Sequence, residues 1–382
     1  MTCCWRRALA LTLLAAPACA CAAGDARSDR LRLDTIRLPA RFAIDLYAGG
    51  VRGARSMALG DAGTLFVASR AEGAVYAVAT RGGAAPQGRV RAVVWGFHQP
   101  DGVAFRDGAL FVAEPTRVLR LDAIESRLDD PPAPAVVRDD LPARDLHASK
   151  VLRFGPDGWL YVSIGVPCDR CEPDDPRFGT IARMRPDGTG LETFARGIRN
   201  SVGFDWHPAT HELWFTDNGI DLLGENLPPE ELNRAARAGL HFGYPYCHAQ
   251  SIPDPFFAAG HDCAAFEPAA AALGPHVVPL GLRFYTGRQF PPEYRGQIFI
   301  AEHGSTNRTA PLGYRLTRVR LDGHRPVEYG TFADGWLQGR HAWGRPVDVL
   351  VMPDGALLVS DDLAGAIYRI SYRSTSGALQ GS

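Results

Sequence analysis

Lysine is almost absent from this chain. Lys150 is the only one, so 40 of the 41 basic residues are arginine. Strong net charge is missing as well: 41 basic and 42 acidic residues leave −1 at neutral pH, and no basic run or RNA-binding motif occurs. The electrostatic footprint of a nucleic-acid partner is therefore lacking. Apolar runs long enough to notice are confined to the N-terminus, so no later segment is suited to crossing a bilayer. Amphipathic helical periodicity is nearly missing, which argues against a parallel α/β fold, because crossover helices would have to join its strands. Cysteine is scarce too. Beyond the first 21 residues only Cys168, Cys171, Cys247 and Cys263 remain.

What is present begins with a leader pattern. Arg6 and Arg7 precede "ALALTLLAAPACACAAG", an apolar run too short to span a membrane and rich in small residues suited to cleavage. Residues 1–22 are read as a signal peptide, and the mature protein as periplasmic or secreted; Cys19 and Cys21 leave lipoprotein anchoring as the lesser alternative. In an oxidising compartment four cysteines point to two disulfides. Three pairings are open, and proximity favours Cys168–Cys171 with Cys247–Cys263. "CDRC" lacks the following histidine of a haem-attachment motif, and the second pair is spaced too widely for a zinc ribbon.

The 382 residues, with 41 Gly and 29 Pro, contain one strand–turn–strand plan six times. The copies are Ala54 to Arg70, Pro100 to Glu114, His147 to Gly165, Arg199 to Gly219, Leu280 to Gly304, and Arg345 to Asp362. Each has a short apolar strand, a Gly- or Pro-rich turn such as "GPDG", and a β-branched or aromatic strand. Several are followed by a third strand, as in "GAVYAV" and "AIYRIS". A strand-and-turn repeat of this length predicts an all-β, six-bladed β-propeller of four-stranded antiparallel blades over residues 38–372. "FAIDLYA" (Phe42 to Ala48) is placed to pair with "AIYRISY" and close the ring. Ile220 to Pro279 reads as a loop excursion, and 373–382 as a disordered tail.

In a propeller the start of each innermost strand and the end of the second strand reach the same face of the disc. Here those positions hold His147, Lys150, Arg199, Asn200, Asn218, His303 and Arg345, together with several carboxylates. The opposite hairpin ends carry mainly turn residues. One face thus collects convergent polar groups, the expected form of a site. His147 is a candidate general base, since imidazole titrates near neutrality. Arg199 and Asn200 suit an oxyanion or a carboxylate. For each residue taken alone, a strand-end hydrogen bond is the competing reading.

The motifs "HASKVLRFGPDGWLYVSIG", "ARGIRNSVGFDWHP", "ELWFTDNG", "PPEELN", "AGLHFGYPYC", "AEHGSTNR" and "GRPVDVLVMPDGALLVSDDLAGAIYRI" together resemble the soluble glucose/sorbosone dehydrogenase family, in its sorbosone-dehydrogenase-like branch. The resemblance runs from about Leu38 to Tyr372. It implies an exported propeller that binds pyrroloquinoline quinone (PQQ) and Ca²⁺, oxidises an aldose or sugar aldehyde, and passes electrons to a cytochrome or quinone. By position, His147 matches the family's base, and Arg199 with Asn200 its cofactor-contacting pair. Asn218, His303 and Arg345 match cofactor contacts, with Lys150 a basic position that the family often shares. Gly219 and Ile220 match the carbonyls that ligate Ca²⁺. Departures are also visible: Val347 stands at an arginine position, Gln99 lies next to a missing amide, and Thr306 replaces an expected Trp. Two rival expectations are a Ca²⁺-dependent hydrolase of the lactonase type and a binding propeller without chemistry.

Overall fold

The computed structural model describes residues 31–79, 89–144, 146–221, 223–249 and 251–373. The expected leader, and the expected tail apart from Arg373, lie outside the described residues. All six predicted hairpins form, each as the innermost and second strands of an antiparallel sheet. The innermost strands are Ala54–Leu59, Gly102–Arg106, Leu152–Phe154, Phe204–Trp206, Pro279–Phe284 and Pro346–Val351. They define blades 1 to 6 of a six-bladed β-propeller.

Ring closure follows the sequence reading. Phe42–Gly49 pairs antiparallel with Ala366–Tyr372, Phe42 opposite Tyr372, so the N-terminal strand becomes the outermost strand of blade 6. Phe42 then seats its ring edge-on against Phe290, Phe332 and Tyr372, which ties blade 5 to the closure.

The core is divided into layers between neighbouring blades. Blades 3 and 4 share Tyr161, Ile181, Phe204 and Phe215; blades 4 and 5 share Trp214, Leu282, Phe284 and Ile298. Each such side chain contributes roughly 1.5–3 kcal/mol by leaving water. Close approach of the innermost strands requires small residues. At Gly203 a Cβ would run into the Leu280 carbonyl, which instead accepts a hydrogen bond from Thr216 Oγ1 at 2.8 Å.

One segment differs from expectation. Ile220 to Pro279 is only partly an excursion: Pro229–Ala235 is the third strand of blade 4 and Ala271–Pro275 the fourth. Leu240–His241 adds a parallel edge to blade 3. "PEELNRA" does not read as a strand because two of its buried positions are polar, Glu230 and Asn233, which breaks the apolar alternation that marks one. The remaining loop is closed by Cys247–Cys263, and Cys168–Cys171 closes a second, shorter one, the pairing that proximity favoured.

Candidate active site at the channel mouth

The innermost strands of blades 3 to 6 begin with a layer of apolar side chains. Val151, Val202, Leu280 and Val347 pack together in one buried cluster, forming an apolar floor beneath the polar mouth. Val347, the residue at an expected arginine position, belongs to this floor. Thr306 and Gln99 are exposed.

Above the floor, His147 adopts a left-handed backbone (φ 51°) and places Nδ1 2.8 Å from the Val166 carbonyl. A carbonyl can only accept, so Nδ1 carries the proton and Nε2 keeps its lone pair. Among the described residues Nε2 has no hydrogen-bond partner. Burial and the Arg199 charge pull the imidazole down to about 4, so the ring is neutral at neutral pH.

Beside it, Arg199 is buried and clamped. Nε donates to the Asp169 carbonyl at 2.9 Å, Nη2 to Asp169 Oδ1 at 2.6 Å, and Nη1 to the Asn218 carbonyl at 3.0 Å. Asp169 is carried on the loop closed by Cys168–Cys171, which Tyr244 steadies by accepting the Cys171 N–H at 2.9 Å. Asp217 holds the backbone of the pair, accepting from Arg199 N at 2.9 Å and Asn200 N at 2.7 Å. Burial, and then the neighbouring Glu231 carboxylate, push Asp217 upward.

Gly165 lies between His147 and Asn200. A Cβ there would stand 2.7 Å from His147 Cβ and 2.8 Å from Asn200 Oδ1, closer than real contacts allow. Gly165→Ala should therefore displace both side chains and lower turnover about 10- to 100-fold, in keeping with the cost of misplacing reacting groups by an ångström. Unchanged far-UV circular dichroism would separate this from unfolding; undiminished turnover would show that the two residues do not act together.

Asn218 donates Nδ2 to the carbonyls of Asn200 and Pro279, at 2.9 and 3.1 Å, while its buried Oδ1 has no donor among the described residues. Gly219 N donates to Glu230 Oε2 at 2.5 Å, and Ile220 is buried against Val166 and Tyr244. Burial, with Asp217 nearby, raises Glu230 to about 8.

Across the mouth, Arg345 donates Nε to the His303 carbonyl at 3.0 Å and Nη2 to the Gly304 carbonyl at 2.5 Å. Its guanidinium lies over the Tyr314 ring, and Nη1 has no protein acceptor among the described residues. His303 Nε2 bonds Asp362 Oδ1 at 2.9 Å. Burial lowers the histidine. Burial opposes ionisation of Asp362, but the His303 hydrogen bond and the His303 and Arg55 charges hold it at about 2.

Arg55 bridges Asp362 to Asp101, and Ser149 donates to Asp101 at 2.7 Å, so one chain of polar contacts runs through blades 5, 6, 1, 2 and 3. Arg55, Asp101 and Asp362 are strand ends in the sequence reading but not site residues there; Asp169 was missed, and "CDRC" was its only signal. Lys150 is fully buried, with Nζ donating to the Ala148 carbonyl at 2.8 Å. Burial brings it down to about 7, against the opposing attraction of Asp101.

The carboxylates that end the second strands need correcting. Asp217, Glu302 and Asp361 are buried and engaged within their own blades. Asp361 accepts from Arg345 N at 2.9 Å, Ala364 N at 2.8 Å and Tyr368 Oη at 2.8 Å, and Glu302 accepts from Arg315 Nε at 2.7 Å. A carboxylate at a strand end is better placed to satisfy nearby backbone N–H groups than to face solvent. The mouth is therefore lined mainly by arginine, histidine and amides.

Comparison with known proteins supports one assignment. The TrAA12-like family description matches residues 187–373, most of blades 4 to 6. That match covers just under half of the chain. This match accords with the family that the motifs resemble. An uncharacterized protein of Borreliella burgdorferi is 43% identical over 185 residues, 47% of this chain and 49% of that protein. The Synechocystis uncharacterized protein slr1608 is 26% identical over 166 residues, 43% of this chain and 34% of that protein. The chain thus spans about half of the first relative and a third of the second.

Among solved structures, the calcium structure of Trichoderma reesei carbohydrate-active enzyme family AA12 superposes with a TM-score of 0.77 at 19% identity, covering 88% of this chain and 97% of that one. The PQQ domain of Coprinopsis cinerea pyranose dehydrogenase gives 0.74 at 16% identity, covering 88% and 97%. The PQQ-bound aldose sugar dehydrogenase of Streptomyces coelicolor gives 0.64 at 20%, covering 88% and 100%. At these identities the matches show a shared fold. Among the described residues, no helix is long and apolar enough to cross a membrane.

Proposed function

We propose that this chain is an exported quinoprotein sugar dehydrogenase that uses PQQ and Ca²⁺ and acts on an aldose or sugar aldehyde. The observation that carries this reading is the neutral His147 with its free Nε2 lone pair beside a clamped, buried Arg199. The similar structures with PQQ and calcium in their names support it. The two disulfides accord with export.

The residues present fit such a cofactor. The buried, donorless Asn218 Oδ1 next to the carbonyl-bearing pair Gly219 and Ile220 is a set of hard oxygen atoms, the ligand chemistry Ca²⁺ takes. Arg345, with Nη1 uncommitted, suits a carboxylate, and Arg199 and Asn200 suit carbonyl or carboxylate oxygens. His303 retains Nδ1 after Nε2 is bound to Asp362. Gly165 lets His147 and Asn200 come close to one another over its backbone. Lys150 is a buried basic group whose charge reaches His147.

Bound PQQ supplies a two-electron acceptor. The chain's own residues do the rest. His147 Nε2 accepts the proton of the sugar hydroxyl, Nδ1–H remaining fixed on the Val166 carbonyl. Arg199 holds positive charge where negative charge develops, and its clamp avoids reorganisation during the reaction. The apolar floor limits water access from the channel below. Electrons then pass to an external cytochrome or quinone.

A lactonase-type hydrolase would need carboxylates gathered round a metal. Among the described residues no three His, Cys, Asp or Glu side chains form such a group. The deciding experiment adds PQQ and Ca²⁺ to the purified chain and follows dye reduction with aldoses, sorbosone and lactones. Saturable PQQ binding with sugar-dependent dye reduction is expected. Absence of binding at micromolar PQQ would sink the proposal, and binding without turnover would favour a non-catalytic propeller.

A further inference from the structure

The channel beneath the floor contains charge that the mouth does not use. Arg153 of blade 3 and Arg283 of blade 5 both sit near the hairpin end of their innermost strands, away from His147. Both line an inner cavity of about 220 Å³, whose other walls include Met57, Val103, Leu152 and Leu350. Both also line the adjoining outer cavity of about 360 Å³. They therefore stand at the neck between the two.

Each guanidinium has one carboxylate neighbour, held at the long distance of 3.4 Å. Asp205 accepts the Phe284 N–H at 2.9 Å and lies 3.4 Å from Arg153 Nη1. Asp348 accepts the N–H groups of Met57 and Val349, each at 2.9 Å, and receives Arg283 Nη2 only at 3.4 Å. The shorter bonds go to backbone, pinning blade 4 to blade 5 and blade 6 to blade 1. Two guanidinium groups carry ten N–H donors between them. Protein acceptors among the described residues take three: the carbonyls of Phe204 and Leu282, and the long contact to Asp348. Arg283 Nε is buried with no acceptor among the described residues. Burial, and then the nearby Arg283 charge, bring the Arg153 guanidinium down to about 10 against the opposing attraction of Asp205 and Asp348, so Arg153 stays charged at neutral pH.

We infer that the neck of the channel binds a small monovalent anion, a halide or a formate-sized carboxylate, between Arg153 and Arg283. Such an ion supplies acceptors to the N–H donors that the two long carboxylate contacts leave unmet. The site is remote from the sugar chemistry proposed above and needs neither cofactor nor substrate.

The test uses the full chain without added cofactor. Its melting temperature is followed against chloride, bromide and formate, with ionic strength held constant by a bulky sulfonate. Excess ³⁵Cl NMR line broadening reports chloride exchange at the protein. Saturating small anions should raise the melting temperature by about 2 °C or more. Arg283→Met should remove that rise and cut the excess broadening at least about fivefold. If Arg283→Met does not fold, Arg153→Gln is measured in the same way, with the same result expected. Superimposable halide and sulfonate curves in the wild type would overturn the site, as would broadening that survives in the folded variant.

Discussion

His147→Ala should lower the rate of sugar oxidation by about 10²- to 10⁴-fold, the usual contribution of a positioned general base. PQQ affinity should change little, because the imidazole is fixed by the Val166 carbonyl and not by a cofactor-binding group. The two outcomes are read separately, by PQQ titration and by steady-state dye reduction. The wild-type pH profile provides a second check. A base must be neutral to accept a proton, and burial with the Arg199 charge lowers this imidazole to about 4. Activity should therefore hold as pH falls through the ordinary histidine range near 6.5 and decline only at lower pH. Occupation of the mouth by an anionic cofactor would move that limb upward, since it screens Arg199. An acid limb above 6.5, or a His147→Ala enzyme that retains its rate, would remove His147 from the role.

Asp217→Ala should destabilise the chain by about 2–5 kcal/mol, read as a drop in denaturant midpoint with unchanged slope. Both carboxylate oxygens are engaged, one by Arg199 N and one by Asn200 N, and the carboxylate is buried. Removing it leaves two N–H groups without an acceptor at the start of the innermost strand of blade 4. Asp217→Asn should cost less, because one acceptor oxygen remains and the opposition of Glu231 is relieved. A midpoint within experimental error of wild type for Asp217→Ala would mean that the strand entrance is held by other contacts. Cofactor affinity should fall along with stability, as the same two residues bear the proposed PQQ contacts.

The hairpins were legible because their signals are local. Apolar strands, "GPDG"-type turns and β-branched partners lie within about twenty residues of one another, and period-two patterning states which face is buried. Ring closure was legible for a related reason: one unpaired apolar strand remained at each end of the chain. The disulfides were readable from proximity. "PEELNRA" was not readable, since Glu230 and Asn233 are buried where apolar residues are expected.

The mouth was legible as a place but not as an arrangement. Strand-end positions showed that His147, Arg199, Asn200, Asn218, His303 and Arg345 reach one face. They could not show that Asp217, Glu302 and Asp361 turn back into their own blades, or that Lys150 is enclosed.

The sequence by itself determined the blade count, the closure of the ring and the face that carries the polar residues, since each depends on short-range pattern. Only the tertiary structure decided the partners. Arg55 meets Asp362 across 307 residues, and Arg153 and Arg283 face one channel from blades 3 and 5. Such pairs depend on the rotation of whole blades about the axis, and no local preference of the chain encodes which side chains that rotation brings together.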